Sequence, residues 1–272
     1  MSNEYPMTWE ESILHIRSDP THSTLVRDYF FDDPLTDACE RYWQSTEWAE
    51  VRRLIGLGNG RTALDIGAGR GIASYALARD GWNVTALEPD GSNVVGAGAI
   101  RSFSERLDPP ITVTESWGET LPFPPNAFDL VFCRQVLHHA RDLALLCREI
   151  ARVVKSSGLA VAVREHVLSR PEDLDDFLRA HPLQQLYGGE HAYLLADYVG
   201  SLRNAGLQIT AILNPLASDI NLYPLTIEEL KRQIARKWRL PSTHLIPDWL
   251  LRVKGALMST PGRPYSFFAT KR

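Results

Sequence analysis

Residues 62–71, with the sequence TALDIGAGRG, decide the fold of this chain. A short apolar run typical of a β-strand leads into three glycines at alternate positions, and an amphipathic run from Ile72 to Arg79 follows. Glycine has no side chain, so the backbone can turn tightly here and approach a bound ligand closely. A dinucleotide-binding turn needs the spacing G-x-G-x-x-G, but its last glycine position falls on Ile72. The stretch therefore predicts a strand, a glycine loop and a helix without a dinucleotide site.

Two later segments have the character of strand ends that bind a ligand. Residues 83–88 predict a second strand that ends in Glu88. A carboxylate there can accept both ribose hydroxyls of an adenosine group, because it has two oxygens. Residues 119–123 read ETLPF, and residues 127–132 read AFDLVF. Together with the pattern D-x-G-x-G-x-G in the glycine loop, these segments resemble the class I S-adenosylmethionine-dependent methyltransferases, and within them the type 11, ubiquinone-type subgroup.

The resemblance implies S-adenosyl-L-methionine as the cofactor. It also implies a set of cofactor-binding residues in the glycine loop and at the following strand ends: Asp65, Gly67, Ala68, Gly69, Gly71, Glu88, Pro89, Trp117, Gly118, Glu119 and Arg134. The family usually has an acid two residues before Glu119, where it binds the adenine amino group, but this chain has Trp117. The indole either stacks on adenine or packs in the core, and the sequence leaves both interpretations open.

The rest of the chain alternates strand-like and helix-like segments. Further strands are predicted at residues 111–115, 127–133, 159–163, 207–213 and 265–270. The helix predicted at residues 142–155 is the clearest, since its apolar residues recur every three or four positions and Gly158 is expected to end it. Such alternation builds a parallel sheet with helices on both faces. We therefore predict an α/β fold with a doubly wound, Rossmann-like, seven-stranded sheet of six parallel strands and an antiparallel last strand.

The chain is expected to form a single domain, residues 1–272, with three segments beyond the sheet. Residues 1–58 predict a helical cap, and residues 166–192 and 214–262 predict helical insertions after the fifth and sixth strands. The aromatic cap covers the cofactor in the resembled family, although a helix packed on the sheet edge explains it equally well. Ligands bind beyond the carboxyl ends of parallel strands, so the residues that follow these strands should converge there. They are Gly67, Glu88, Gly118, Arg134, His138 and Arg164.

Methyl transfer depends mainly on positioning an acceptor beside the sulfonium methyl, and it needs a general base only when the acceptor must lose a proton. His166 is the better base candidate by position, and His139 is the second. The L-H-H triplet recurs in relatives with unlike acceptors, which favours a scaffold or cofactor role for it. A buried Arg164–Glu165 pair is an equally good structural reading of the residues before His166. The candidate substrate-binding residues are polar or aromatic: His138, Arg164, His181, Tyr187, Glu190, His191, Asn221 and Tyr223.

The same segment raises the question of a metal site, because His166, His181, Glu190 and His191 carry possible ligand atoms. Metal-binding histidines often have a tight helical spacing such as H-x-x-x-H, which these residues lack. The sequence therefore predicts no metal. Gly188 and Gly189 instead predict a turn that presents polar side chains to a small acceptor.

Composition limits the possible partners. The net charge of −4 and the pI of about 6.1 give no electrostatic footprint for nucleic acid, and no N-P-P-Y-like motif follows the fourth strand. The cysteines form no C-x-x-C pattern, so neither a disulfide framework nor a zinc site is indicated. Residues 1–5 have no leader character and no apolar run reaches membrane-spanning length. We expect a cytoplasmic monomer or homodimer that binds a small-molecule acceptor, with no nucleic acid and no membrane as partners.

The leading functional hypothesis is transfer of a methyl group from S-adenosylmethionine to a small polar molecule at oxygen or nitrogen. C-methylation of a quinone or other lipid-like acceptor is the alternative among enzymes, and a large apolar groove would favour it. A non-catalytic regulator that binds the cofactor is the alternative from a different class, suggested by the missing acid at Trp117.

Overall fold

The computed structural model describes residues 6–107 and 110–272. Residues 1–5, from which the absence of a leader was predicted, lie outside the described residues. Within the described ranges the strands are β1 (Thr62–Ile66), β2 (Asn83–Leu87), β3 (Thr112–Thr114), β4 (Phe128–Arg134), β5 (Val154–Leu168), β6 (Tyr193–Leu194), β7 (Leu207–Leu213) and β8 (Arg263–Lys271).

These strands form one sheet in the order β3-β2-β1-β4-β5-β8-β7, and the short β6 pairs with β5 beside this path. β1 to β5 pair in parallel, whereas β8 runs antiparallel to both of its neighbours, β5 and β7. β7 therefore points in the same direction as β5. The predicted sheet of six parallel strands and an antiparallel last strand is confirmed, and the two-residue β6, parallel to β5, was not predicted.

Helices cover both faces of the sheet. They are α1 (Trp9–Ser18), α2 (Ser23–Asp28), α3 (Leu35–Trp43), α4 (Thr46–Ile55), α5 (Ile72–Arg79), α6 (Ala97–Ser104), α7 (Leu143–Val153), α8 (Leu174–Ala180), α9 (Leu195–Asn204), α10 (Asp219–Leu222), α11 (Ile227–Trp238) and α12 (Asp248–Ala256). The core on one face contains α7 and α9, and the core on the other contains α3, α4, α5 and α6. Since β1 and β4 are buried on both faces, they read as nearly continuous apolar runs.

The predicted boundaries around β5 are wrong. Helix α7 ends at Val153, because Val154 adopts an extended conformation (φ −72°, ψ 138°) and pairs with Phe128 of β4. Gly158 therefore lies inside β5 instead of ending the helix. At its other end β5 continues through His166, which pairs with Pro264 of β8. The strand extends this far because β8 pairs along it, a long-range contact that apolar periodicity does not reveal.

The α3–α4 part of the cap is fixed to the sheet by buried polar contacts. Asp80, at the end of α5, accepts hydrogen bonds from the indole N–H groups of Trp43 and Trp48, each at 2.8 Å, and from Arg52 at 2.6 Å. Trp48 is fully buried and meets Phe132 of β4 edge to face. This part of the cap is therefore anchored at the end of α5 and against β4. In the part of the chain that the structure describes, the helices are too short or too polar to span a bilayer.

Candidate functional site

The glycine loop between β1 and α5 has the backbone that its sequence predicts. Gly67, Gly69 and Gly71 all have positive φ, at 63°, 54° and 84°. A Cβ on Gly67 would lie 2.8 Å from a methyl of Val136, and one on Gly71 would lie 2.9 Å from both Ile100 and Phe103. A Cβ on Gly69 would meet nothing closer than 3.9 Å. Gly67 and Gly71 are therefore required by packing, whereas the space beside Gly69 is open.

The glycine loop is fastened to the end of β2. The backbone N–H groups of Gly67 and Ala68 donate to the carbonyl of Leu87 at 2.8 and 3.1 Å. Glu88 accepts from the N–H of Gly69 at 2.7 Å and, through its other oxygen, from the N–H of Asp90 at 3.0 Å. Burial raises the pKa of the Glu88 carboxyl, although these backbone donors oppose the shift. Each oxygen keeps a lone pair for a ligand, which is the arrangement expected of a ribose-binding acid.

The N-terminal cap closes over the glycine loop through Arg70. Its guanidinium is buried and donates to the carbonyls of Phe30 and Asp32, at 3.1 and 2.9 Å, and to the carboxylate of Asp33. Because Arg70 belongs to the loop itself, residues 29–33 are held directly above the loop. Arg70 was not among the site residues predicted from the sequence. The sequence does contain a signal for this contact: a basic residue inside the glycine loop and two adjacent acids, Asp32 and Asp33, in the aromatic cap.

One cavity joins the glycine loop to a group of histidines. Its walls are formed by Trp9, Tyr29, Phe30, Phe31, Asp65, Gly67, Ala68, Gly69, Arg70, Ile72, Ala73, Arg134, Gln135, His138, His139, His166, His181, Leu183 and Glu190. The cavity lies beyond the carboxyl ends of β1, β4 and β5, where ligands of such sheets bind. Trp9 could not have been found from the sequence, because its place depends on how α1 folds back over the loop.

His138 occupies the centre of the histidine group and is fully buried. Its Nδ1 lies 2.7 Å from a carboxylate oxygen of Glu165, which also accepts from the backbone N–H of His138 at 3.1 Å. The other oxygen of Glu165 accepts from the N–H of Val136 at 3.1 Å. When Glu165 is ionised it can only accept, so Nδ1 of His138 carries the proton and Nε2 carries a lone pair. Among the described residues, Nε2 has no hydrogen-bond partner.

The same logic fixes two further rings. Nδ1 of His139 lies 3.0 Å from the carbonyl of Gly189, and Nδ1 of His166 lies 3.0 Å from the carbonyl of Gly262. A carbonyl oxygen can only accept, so both Nδ1 atoms are donors and both Nε2 atoms have lone pairs when the rings are neutral. The ring of His138 is 4.2 Å from that of His139 and 4.4 Å from that of His166, measured between centroids. Three imidazoles therefore meet with the same tautomer.

Glu190 brings a carboxylate to these rings. Its oxygens lie 3.9 Å from Nε2 of His138 and 3.7 Å from Nδ1 of His181. The backbone N–H of Glu190 donates to the side-chain oxygen of Gln184 at 3.0 Å, which anchors the turn of Gly188 and Gly189. The segment from 166 to 190 therefore returns to the cavity, and it brings His181 and Glu190 to the rings of His138 and His166.

Burial sets the charges of this group. It lowers the pKa of His166 to about 3 and that of His138 well below its ordinary value, and the neighbouring histidines add to both effects. Burial likewise lowers the pKa of His181, although Glu190 opposes the shift. These three rings are therefore neutral at pH 7. Burial raises the pKa of Asp65 and of Glu165 to about 7, because each carboxyl is fully enclosed.

Several predicted site residues make structural contacts that hold the elements around the cavity together. Arg134 lines the cavity, but its guanidinium makes paired hydrogen bonds to Glu47 of α4, at 2.6 and 3.0 Å. Arg164 and Glu165 were predicted as a possible pair, which is wrong: Arg164 lies 3.6 Å from Glu47 and also donates to the carbonyls of Ile220 and Tyr223. Asn221 bonds Ser266 and two backbone carbonyls. The structure does not bring Arg164, Asn221 and Tyr223 to the cavity wall.

Other predicted residues lie outside the cavity wall. Trp117 is 61% exposed with the guanidinium of Arg141 at 5.3 Å from its ring, so the core interpretation of Trp117 is wrong. Trp117 lies in the connection between β3 and β4. The next residue, Gly118, packs against α7, and the indole of Trp117 remains at the surface. Adenine stacking on Trp117 stays a prediction, as do contacts to Pro89, Gly118 and Glu119. Tyr187 packs on Trp9, and His191 packs on Tyr193; neither side chain lines the cavity.

The segment that contains the glycine loop and the strands around it matches a known protein family. Residues 64–162 match the family model described as "Methyltransferase domain". The chain is 27% identical over 217 residues to a ubiquinone biosynthesis O-methyltransferase of Rhizobium leguminosarum bv. trifolii, covering 77% of this chain and 79% of that protein. It is 33% identical over 117 residues to the uncharacterized methyltransferase YcgJ of Bacillus subtilis, a match that covers 42% of this chain and only 44% of the length of that relative.

Solved structures agree in fold. The crystal structure of YcgJ superimposes with a TM-score of 0.58 at 19% identity, over 83% of this chain and 98% of that one. A geranyl diphosphate C-methyltransferase from Streptomyces coelicolor A3(2), solved with S-adenosyl-L-homocysteine, superimposes with a TM-score of 0.59 at 17% identity, over 93% of this chain and 88% of that one. At these identities the likeness concerns the fold alone.

Proposed function

Because this chain belongs to the class I S-adenosylmethionine-dependent methyltransferases, we propose that it transfers the methyl group of S-adenosylmethionine to an oxygen or nitrogen atom of a small polar molecule. One observation carries the proposal: the glycine loop and the inward-facing imidazoles line the same cavity. The loop would hold the cofactor, with Glu88 on the ribose, and the histidine side would hold the acceptor.

Methyl transfer from a sulfonium requires mainly that the protein positions the acceptor atom correctly. A lone pair of the acceptor atom attacks the methyl carbon, the carbon–sulfur bond breaks, and its electrons stay on sulfur in S-adenosylhomocysteine. The acceptor must lie about 3 Å from the methyl carbon and in line with the breaking bond. The cap segment of residues 29–33, which Arg70 holds in place, would cover that space and exclude water from it during transfer.

An acceptor that carries a proton must also lose it. We assign this role to His139, whose Nδ1–H is held by Gly189 and whose ring is exposed, so that Nε2 can receive the proton and release it to solvent. His166 is the weaker base, because burial lowers its pKa to about 3. A base works best when its pKa is near the working pH.

C-methylation of a ring or lipid-like acceptor is the second candidate. The aromatic wall of the cavity favours it: Trp9, Tyr29, Phe30 and Phe31. Transfer of an isotope-labelled methyl group to candidate acceptors, followed by NMR of the product, distinguishes methylation at carbon from methylation at oxygen or nitrogen. Binding of the cofactor without turnover of any acceptor would favour the regulator.

Calorimetry tests the cofactor half of the proposal. Wild-type protein should bind S-adenosylmethionine and S-adenosylhomocysteine, and Glu88→Ala should weaken binding by about 1–3 kcal/mol, since a buried ligand hydroxyl pair would lose its acceptor. Asp129→Ala is the matched control. Asp129 is also a hydrogen-bonded acid, but it lies at the opposite end of β4, where it accepts from Thr62 and Lys155. Absence of binding by the wild type at millimolar cofactor would overturn the proposal.

A further inference from the structure

The histidine group contains more acceptor atoms than protein donors can satisfy. Nε2 of His138 carries a lone pair, is buried, and faces a carboxylate oxygen of Glu190 at 3.9 Å, too far for a hydrogen bond. Nδ1 of His181 is buried 3.7 Å from the other oxygen of Glu190, also without a hydrogen-bond partner in residues 6–107 and 110–272. Nε2 of His166 adds a third lone pair. Buried polar atoms in native proteins are normally paired, so this group requires an explanation.

The ring protons of His138 and His166 are already engaged, since Nδ1 of His138 donates to Glu165 and Nδ1 of His166 donates to the carbonyl of Gly262. A water molecule has two protons and can satisfy at most two of the acceptors. A cation, by contrast, is satisfied by several lone pairs at once. Neutral imidazole with a free lone pair is also the form in which histidine binds metals.

The surroundings of the rings are those of metal ligands. In metalloproteins a ligating histidine almost always donates its other ring N–H to a carboxylate or a backbone carbonyl, which fixes the tautomer and the ring orientation. Here Glu165 does this for His138, and the carbonyl of Gly262 does it for His166. Imidazole nitrogens of His138, His166 and His181 and the carboxylate of Glu190 thus lie in the wall of the same cavity.

We propose that His138, His166, His181 and Glu190 bind one divalent transition-metal ion of the zinc type. Within the described part of the chain, the ligand atoms of His166, His181 and Glu190 all lie within 4.8 Å of one another, and so do those of His138, His139 and Glu190. The two triads share Glu190. His139 is left out of the ligand set because its ring is exposed and its lone pair can be satisfied by solvent.

The two separations between Glu190 and the nitrogens of His138 and His181 need only a small contraction. Zinc bonds of about 2.0–2.1 Å place the ligand atoms of a tetrahedral site about 3.3–3.4 Å apart. The separations of 3.7 and 3.9 Å between Glu190 and its histidines therefore close by about 0.3–0.6 Å. Glu190 follows two glycines with φ of 77° each, so a small movement of this turn supplies the contraction. Imidazole and carboxylate ligands suit zinc, whereas magnesium and calcium prefer oxygen ligands alone.

The ion would also restrict the chemical class of the methyl acceptor. It lies in the cavity of the glycine loop, so a hydroxyl or similar oxygen of the acceptor that binds it is held toward the cofactor and is acidified. This role rests on the proposed function, whereas the metal site does not. Acceptors able to ligate a metal through oxygen are therefore the class to test first.

The test measures metal binding without cofactor or acceptor. Protein stripped with a chelator should take up one Zn²⁺ per chain by calorimetry and elemental analysis, and its melting temperature should rise on addition of Zn²⁺ but not of Mg²⁺. Substitution with Co²⁺ should give the visible absorption bands of a four-coordinate site. Glu190→Gln, which keeps the size of the side chain, should weaken Zn²⁺ binding at least tenfold, and the double variant His166→Ala, His181→Ala should lose the Co²⁺ bands.

His191→Ala is the matched control, because His191 adjoins Glu190 in sequence but packs on Tyr193. It should bind Zn²⁺ as the wild type does. Calorimetric binding of S-adenosylhomocysteine by each variant reports whether it is folded, and it tests the cofactor site separately. Fewer than about 0.1 Zn²⁺ per chain with intact cofactor binding, or equal weakening by His191→Ala and Glu190→Gln, would overturn the metal site.

Discussion

The buried carboxylate of Glu47 offers the sharpest test of how the cap is held over the site. Glu47 is fully buried in α4 and accepts from Arg134 at 2.6 and 3.0 Å and from the Tyr42 hydroxyl at 3.1 Å. Arg164 lies 3.6 Å away. In Glu47→Gln the negative charge is lost while both guanidiniums remain, with side chains only 10% and 12% exposed. The variant therefore isolates the cost of leaving buried cations uncompensated.

Removing one partner of a buried ion pair costs about 3–5 kcal/mol, because the remaining charge stays desolvated. An unfolding entropy of about 2.1 cal/mol/K per residue gives roughly 0.57 kcal/mol/K for a chain of this length, so the melting temperature should fall by about 5–9 °C. Since a protein has only about 5–15 kcal/mol of unfolding free energy, a loss of this size is easily measured. The cap should also loosen, which predicts weaker cofactor binding.

Urea unfolding followed by tryptophan fluorescence measures the loss, with Trp48 as a buried reporter on the same helix. Glu50→Gln is the control, since Glu50 also lies on α4 but pairs with Arg53 near the surface, where the side chains are 25% and 65% exposed. That change should stay within about 1 kcal/mol. In a double-mutant cycle with Arg134→Met, the coupling to Glu47→Gln should exceed about 1 kcal/mol. A loss below about 1 kcal/mol for Glu47→Gln would refute the reasoning.

Three further predictions concern the cofactor side. Gly69→Ala should weaken S-adenosylhomocysteine binding at least tenfold by calorimetry, because its Cβ enters the open space beside the loop. Gly206→Ala also places a Cβ at a positive φ (89°) in an open turn, but far from the glycine loop in sequence, and it should leave binding unchanged. The pKa of Asp65 is raised to about 7 from an unfolded value near 3.8, so folding takes up a proton between about pH 4 and 7. The free energy of unfolding therefore falls as the pH rises through that window. Asp65→Asn should therefore gain stability relative to wild type between pH 5 and 8 in urea unfolding, and an unchanged difference would contradict this. Trp117→Ala should change stability by less than about 0.5 kcal/mol, since the indole is exposed, and should weaken cofactor binding by about 1 kcal/mol if adenine stacks on it; unchanged affinity would exclude stacking.

The fold was predictable because its signals are local. The glycine loop, the apolar β1 and β4, and the amphipathic α7 each show their structure within fewer than about fifteen residues, and alternation of strands and helices then fixes the sheet. The length of β5 was not predictable, because its second half is a strand only through pairing with β8. Arg70 was missed for a similar reason: its partners lie about forty positions away, in residues 30–33.

The histidine group shows the same limit in the site. Its members come from β5, the short 3₁₀ turn Leu137–His139, the end of α8 and the turn before β6, so no spacing in the sequence resembles a ligand pattern. A ligand spacing is absent from the sequence, and for that reason no metal was predicted. What the structure adds is the set of Nδ1 partners, Glu165, Gly189 and Gly262, which aim the lone pairs of the rings. Tautomers depend on these long-range contacts, so they could be read only from the folded chain.

The end of β5 connects the cap to the histidine group. A strand alternates its side chains between two faces, but the register with β8 shifts between Ala162 and Glu165, and Arg164 has a φ of 62°. At this bulge three successive polar side chains point in different directions. Arg164 points toward Glu47 of the cap, Glu165 toward His138, and His166 toward the rings in the cavity. Bulges are a common means of re-aiming side chains next to active sites. Since one backbone irregularity orients both the cap anchor and two of the proposed metal ligands, a displacement of the cap at Glu47 should be transmitted to the histidines through Arg164, and the two parts of the site should respond together.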